Sequence, residues 1–395
     1  MLAWPAQAFA AIPSGQTADP LERGVLLALG SVYRVETTVS VQALRTHSGR
    51  LFPLGTHDDV TELGTAFAVA PNGVLVTEAH VASPSGVPLA IAAAPLALAQ
   101  KGIVEDKAAS EEWVATNAAL PVDVHVLRVR VWRATANSNA HATEFAAQLK
   151  PGSLDEHDDL ALLLIPDHHI PALVLSGSEP IGTPVAAIGY GVATPTLGLP
   201  TTAVPGIKTG SLGPTGHISG VTGEAAVLNG QQLTQIDAPI ARGDSGGPVV
   251  DSTGAVDGIV RFLYKGSSGL ADPNGTIKAF LGKLDIDNAA GPIATDFATG
   301  MSDLWTTKLT GAHNALQDTV RVDPSHPLAA QELALVAQLP KTPPRAAPTH
   351  RLRLLFLGLA ALAFFAAMLC VVRLRQITRT GRDSNDATPQ FPTAH

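Results

Sequence analysis

Gly243-Asp244-Ser245-Gly246-Gly247-Pro248 runs straight into the β-branched pair Val249-Val250. A serine hydroxyl is a poor nucleophile until a base takes its proton and backbone donors hold the oxyanion that forms. Gly243 has no side chain, so the chain can turn its amide, with that of Ser245, toward an attacked carbonyl as an oxyanion hole. Gly246 and Gly247 read as room for a substrate and for an imidazole. A glycine-rich turn alone is a weak signal, because any tight loop can have one. The full six-residue string ahead of a strand is far more specific.

The chemistry needs a base, and Val76-Thr77-Glu78-Ala79-His80-Val81 places His80 at the end of an expected strand, behind the small Ala79. It needs a carboxylate to fix the tautomer of that histidine and to stabilise the imidazolium. Asp159 enters the apolar run Leu160-Ala161-Leu162-Leu163, and Asp158 beside it is the competitor. Register favours Asp159. His168-His169 and His157-Asp158-Asp159 have no metal-ligand spacing and read as loops. No metal and no cofactor is expected.

Around these motifs the chain reads as short strands between Gly/Pro turns. Residues 31–42 and 122–132 alternate with period two, and 64–81 is two apolar runs around Pro71-Asn72-Gly73. Segments 160–165, 185–188, 233–236, 249–250 and 258–263 complete the series. The pattern predicts an all-β barrel or sandwich from about residue 25 to 285. Residues 84–120 are Ala-rich, and 134–157 lacks strand character; both are expected as insertions on the barrel surface. Residues 286–338 change to helix-like spacing.

Composition narrows the classes. The chain has 395 residues, 46% hydrophobic, a net charge of −8 and a single cysteine. Disorder throughout, a disulfide scaffold and a four-cysteine zinc site are all excluded. Residues 341–395 hold eight basic and two acidic residues, so the rest of the chain is more acidic than the total suggests. An acidic body argues against nucleic acid as a partner. The basic residues bracket Leu354 to Val372, 19 residues without a charge, with Cys370 inside. At about 1.5 Å per residue this spans about 28 Å, one hydrocarbon core. The run is expected to be a transmembrane helix, contacting the membrane through residues 354–372. Four basic residues on each side leave its orientation undecided. The expected organisation is a leader or signal remnant at 1–24, a catalytic domain at 25–285 and a helical extension at 286–338. A Pro-rich linker at 339–353, the span and a disordered tail at 373–395 complete it.

The order His80, Asp159, Ser245, with GTAFAV, TEAHV, DLALL and GDSGGPVV, resembles the chymotrypsin-fold serine proteases. The lack of cysteines resembles the bacterial branch that includes the HtrA proteases, as do Ala187-Ile188-Gly189-Tyr190-Gly191 and Lys208-Thr209-Gly210. The resemblance covers roughly Ser31 to Leu263. It implies two six-stranded antiparallel β-barrels, a cleft site, and protein or peptide substrates. It places the substrate pocket at Pro239 and Ile240, with Val260 to Leu263, Phe262 among them, as the other wall. No acid floors that pocket, so cleavage after Lys or Arg is not expected. Arg242 and Arg261 read as surface groups.

Three features depart from the family. The 79 residues from His80 to Asp159 are many, no PDZ-like segment follows, and Asp244 has no obvious new N-terminus to pair with. The function expected is a membrane-anchored serine endopeptidase with its protease domain outside the cytoplasm, active in quality control or regulated proteolysis. The alternative is a membrane-anchored binding or scaffold protein on an inactive protease fold.

Overall fold

The computed structural model describes residues 19–54, 59–99, 102–103, 107–133, 143–177, 180–191, 206–217, 232–264 and 268–339. The chain opens with helix α1 (Pro20–Ala28), capped by the Asp19 side chain, whose Oδ1 accepts from the Leu21 amide at 2.9 Å, with proline in the first turn. The helix thus starts inside the stretch expected as a leader, and Val25, Leu26 and Ala28 are buried.

Strands β1 (Val32–Arg45), β2 (Leu51–Pro53), β3 (Asp59–Ala70) and β4 (Val74–Glu78) follow. After them come the helices α2 (Ala79–Ala82), α3 (Gly86–Ala99) and α4 (Lys107–Asn117), then β5 (Leu120–Arg133), β6 (Thr143–Leu149) and β7 (Leu160–Leu164). These seven strands form one antiparallel sheet in the order β2-β1-β3-β4-β7-β6-β5, and β5 also pairs along β1 from Tyr33–Arg133 to Arg45–Leu120. The Ala-rich insertion is the helix pair α3–α4, whose Leu89, Ala93, Leu98 and Val114 pack on Val39, Val41 and Leu44 of β1. The second expected insertion is different. Thr143–Leu149 is strand β6, paired to both β5 and β7. Its sequence TEFAAQL alternates exposed with half-buried or buried positions, and its pairing comes from neighbours rather than from β-branched content.

The second sheet is a closed barrel in the order β10-β13-β12-β11-β8-β9. Its strands are β8 (Pro184–Gly189), β9 (Gly206–His217), β10 (Gln232–Ile236), β11 (Pro248–Val250), β12 (Val256–Tyr264) and β13 (Ser268–Pro273). Helices α5 (Asn274–Lys283), α6 (Gly291–Trp305), α7 (Leu309–Val322) and α8 (Ala329–Gln338) end the described chain.

Strands near the centre are apolar on both faces, and alternation assigns each face to a different core. Ala66, Ala68, Leu75, Ala161 and Leu163 belong to the interior of the first sheet. Their neighbours Phe67, Val69, Val74, Val76, Leu160 and Leu162 share another core with Ala186, Ile188 and Ile259 of the barrel and with α1, α6, α7 and α8. Val185, Ala187, Val249 and Val260 fill the barrel itself. Each fully buried Val, Leu or Ile contributes about 1.5–3 kcal/mol, so this shared core binds both sheets and the helical extension into one body. Among the described residues no helix is long and apolar enough to cross a membrane. The expected span at 354–372, the linker from 340 and the tail lie outside the described residues.

Candidate active site

His80 is carried by α2, two residues after the end of β4 at Glu78. The Glu78–Leu160 pair at the end of the β4–β7 ladder brings that turn against the start of β7. There the chain makes a tight turn. Asp155 and Leu160 exchange both backbone hydrogen bonds, at 2.8 and 3.0 Å, and Asp155 Oδ1 accepts from the amides of His157 and Asp158. Asp159 closes the turn with φ of 53°, a left-handed conformation that Asp tolerates better than most residues. The result separates the two candidate carboxylates. Asp159 Oδ2 lies 2.9 Å from His80 Nδ1, and its Oδ1 accepts from the His80 backbone amide at 3.0 Å. Asp158 instead faces outward, 4.0 Å from Lys283 Nζ. Burial pushes the Asp159 carboxyl up, but the hydrogen bonds and charge of His80, helped by Arg261, outweigh it and hold it below the usual carboxylate range.

Ser245 sits on the loop between β10 and β11. Its carbonyl accepts from the Thr65 amide at 2.8 Å, and Thr65 Oγ1 donates to the Gly243 carbonyl at 2.8 Å while accepting from the Tyr190 amide at 2.9 Å. Thr65, on β3, thus pins the nucleophile loop of the barrel to the first sheet. The sequence string GTAFAV contains this threonine, but nothing local marks its role. The glycines serve the same contact. Gly246 has φ of 86°, and a Cβ there would run into the Thr65 carbonyl; at Gly247 it would meet the Ile188 carbonyl. The space expected for substrate is therefore taken by backbone from β3 and β8, which is what two sheets packed this closely require.

Gly243 has φ of 95°, and the turn around it is held by Asp244, which is 1% exposed. Its Oδ1 accepts from Lys208 Nζ at 2.6 Å and from the Gly191 amide at 2.8 Å; its Oδ2 accepts from the Ala241 amide at 2.7 Å. The cation for Asp244 is thus an internal lysine on β9. The amides of Asp244, Gly246 and Gly247 are all bonded within the site. Those of Gly243 and Ser245 have no acceptor among the described residues.

The Ser245 hydroxyl donates to the Arg261 carbonyl at 2.8 Å, not to His80. Arg261 itself corrects the sequence reading. It is not a surface group but 3% exposed, with Nη1 2.9 Å from Asp272, Nε 3.4 Å from Asp159 and 4.0 Å from Glu78. Arg242, by contrast, is exposed and pairs with Glu62 at 3.1 Å. Of the residues expected to line the substrate pocket, Ile240 and Val260 lie in the barrel core, and Pro239 is exposed. The side chain of Phe262 lies outside the described ones. Glu78, His80 and Asp159 offer atoms within 4.8 Å of one another. Two of these three side chains are already engaged with each other, and Arg261 lies against both carboxylates, so the group is set up for proton chemistry rather than for a cation.

Residues 64–259 match the family model described as trypsin-like peptidase domain. Among solved structures, the chain is similar to the Rv3671c protease from M. tuberculosis in its active form. Identity there is 18%, covering 70% of this chain and 91% of that one, with a TM-score of 0.43. An HtrA-type protease, AlgW with tripeptide, is 19% identical over 67% of this chain and 63% of that one, with a TM-score of 0.41. No curated protein matches the chain.

Proposed function

From a chain that carries a trypsin-like peptidase domain at residues 64–259, we propose a serine endopeptidase working through His80, Asp159 and Ser245. The observation that carries this reading is the double bond of Asp159 to His80, at Nδ1 and at the backbone amide. It fixes the tautomer so that Nε2 is left as the base. On substrate binding the Ser245 hydroxyl rotates from the Arg261 carbonyl to Nε2. Its oxygen attacks the scissile carbonyl as the proton passes to His80, and the oxyanion is held by the Gly243 and Ser245 amides. The imidazolium then protonates the leaving amine, giving an acyl-enzyme. Water, deprotonated by the same Nε2, releases the acid and restores Ser245. The Lys208–Asp244 pair gives Asp244 an internal cation, where the zymogen-activated branch of the resembled family uses a new N-terminus.

The parked hydroxyl is what favours the second reading, a scaffold on an inactive protease fold. A fluorophosphonate probe separates the two. Wild-type protein should label and Ser245→Ala should not; an unlabelled wild type would favour the scaffold. The two-barrel reading of the fold is part of the proposal, with the β1–β5 pairing as the closure of the first barrel. The pocket has no acid assigned to it, so a small or medium apolar P1 residue is expected, and a peptide-library profile dominated by Arg or Lys would overturn that. Residues 354–372 are proposed to anchor the protein, with the protease domain outside the cytoplasm and the tail inside. A reporter active only in the cytoplasm, fused after His395, should then be active.

A further inference from the structure

Beneath His80 and Asp159 lies a buried layer of charge that the peptidase mechanism does not use. Arg261 is at its centre. Its guanidinium spans Asp272 at 2.9 Å and Asp159 at 3.4 Å, with Glu78 at 4.0 Å. Its carbonyl holds the Ser245 hydroxyl at 2.8 Å. One residue therefore touches both ends of the proposed triad. The backbone explains how. In the β12–β13 pairing Val260 faces Ala271 and Phe262 faces Leu270, so Arg261 is the extra residue of a β-bulge. A bulge re-aims its side chain, here toward the first sheet rather than along the barrel.

We propose that Arg261 is a positioning residue: anchored by Asp272, its guanidinium holds Asp159 in the orientation that engages His80, while its carbonyl parks Ser245 until substrate arrives. The inference rests on the serine-peptidase reading of the site. The charge count supports it. Two buried carboxyls, Glu78 and Asp272, and the half-buried Asp159 face a single guanidinium, with His80 on the far side of Asp159 and Asp158 at the edge. Only the carboxylate that must stay charged for the chemistry is held low. Burial raises the other two: Asp272 to about 7, partly offset by Arg261, and Glu78 well above its ordinary range. Neither Glu78 oxygen has a donor among the described residues. A carboxyl raised in this way competes less for the guanidinium, and leaves the arginine charge to Asp159.

The test compares Arg261→Met, Arg261→Lys and Asp272→Asn with wild type. Circular dichroism checks the fold. The readouts are the fluorophosphonate labelling rate against pH and the low-field NMR resonance of the His80 Nδ1 proton. Folded Arg261→Met should label up to about 100-fold more slowly, the scale of a misplaced reacting group. Its acid limb should move to higher pH, because removing a cation makes Asp159 easier to protonate, and the Nδ1 resonance should move. Arg261→Lys should recover part of the rate. Should Arg261→Met not fold, Asp272→Asn keeps the arginine but frees it, and should give the same changes at smaller amplitude. A wild-type rate, pH profile and resonance in the folded variants would overturn the proposal and make Arg261 merely structural. If wild-type protein itself does not label, the peptidase reading fails separately. The resonance still decides: a shift in the variants upholds the positioning contact, and its constancy overturns it.

Discussion

Among the described residues, Arg133 and Arg261 are the most deeply buried arginines, and their company differs. Arg133, at the end of β5, meets one carboxylate, with Nη2 2.7 Å from Asp323 just after α7; Ser325 bonds the same nitrogen. Arg261 meets three carboxyls. The first is a matched pair between two elements far apart in sequence, and it fastens the helical extension to the first sheet. The second is overloaded with acid, which burial alone would not favour. Such an arrangement raises two of the carboxyls and holds one low. A joint needs only neutrality; a site for general-base chemistry needs a particular carboxylate ionised and fixed in place.

The comparison can be broken most sharply at Lys208, whose pair with Asp244 is matched like that of Arg133 but lies in the site. Lys208→Met leaves Asp244 buried without a cation, a change that costs about 3–5 kcal/mol when a buried pair is broken on one side. It should also loosen the Gly243 turn. We expect a lower denaturation midpoint, and in the folded fraction a labelling rate down about 100-fold, the scale of losing an oxyanion donor. Labelling at the wild-type rate would reduce Lys208–Asp244 to a joint. Arg133→Met is the next largest. It should lose about 3–5 kcal/mol of stability by denaturant titration, with the labelling rate per folded molecule unchanged. A slowed rate would mean that the joint and the site are not separate.

The motifs proposed to carry the chemistry were legible because each is local. GDSGGPVV, TEAHV and DLALL each join a reactive group to the strand or turn that presents it. Even the choice of Asp159 over Asp158 followed from strand phase. What the sequence concealed is mostly long-range. Lys208 stands 36 residues before Asp244, and Thr65 acts on a loop 178 residues away. No period or spacing links such pairs. Arg261 was misread for a different reason. A charged side chain is expected at the surface by default, and nothing local shows that Arg261 is the extra residue of a bulge with buried carboxyls around it. Strands β6 and β13 were also missed: TEFAAQL and SGLADP have few β-branched residues, and it is their neighbours that make them strands.

The smallest effect expected is the most discriminating for the acid-rich cluster. Glu78 is buried, and its carboxyl is raised well above the ordinary 4.5, first by loss of water and then by the charges of Asp272 and Asp159. A carboxyl raised on folding binds its proton more tightly in the folded chain than in the unfolded one. Its contribution to stability is therefore complete below the unfolded value and is lost as pH climbs toward the folded value. Gln has the shape of the protonated acid and no proton to lose. Glu78→Gln should thus lie within about 1 kcal/mol of wild type near pH 5 and gain on it as pH rises further, measured as denaturation midpoint against pH. The labelling rate should barely change, because Arg261 still serves Asp159. A variant that runs parallel to wild type as pH rises would mean that Glu78 is ionised in the folded chain as in the unfolded one. The arginine would then be shared between two charged carboxylates, and the contrast with Arg133 would be one of number alone.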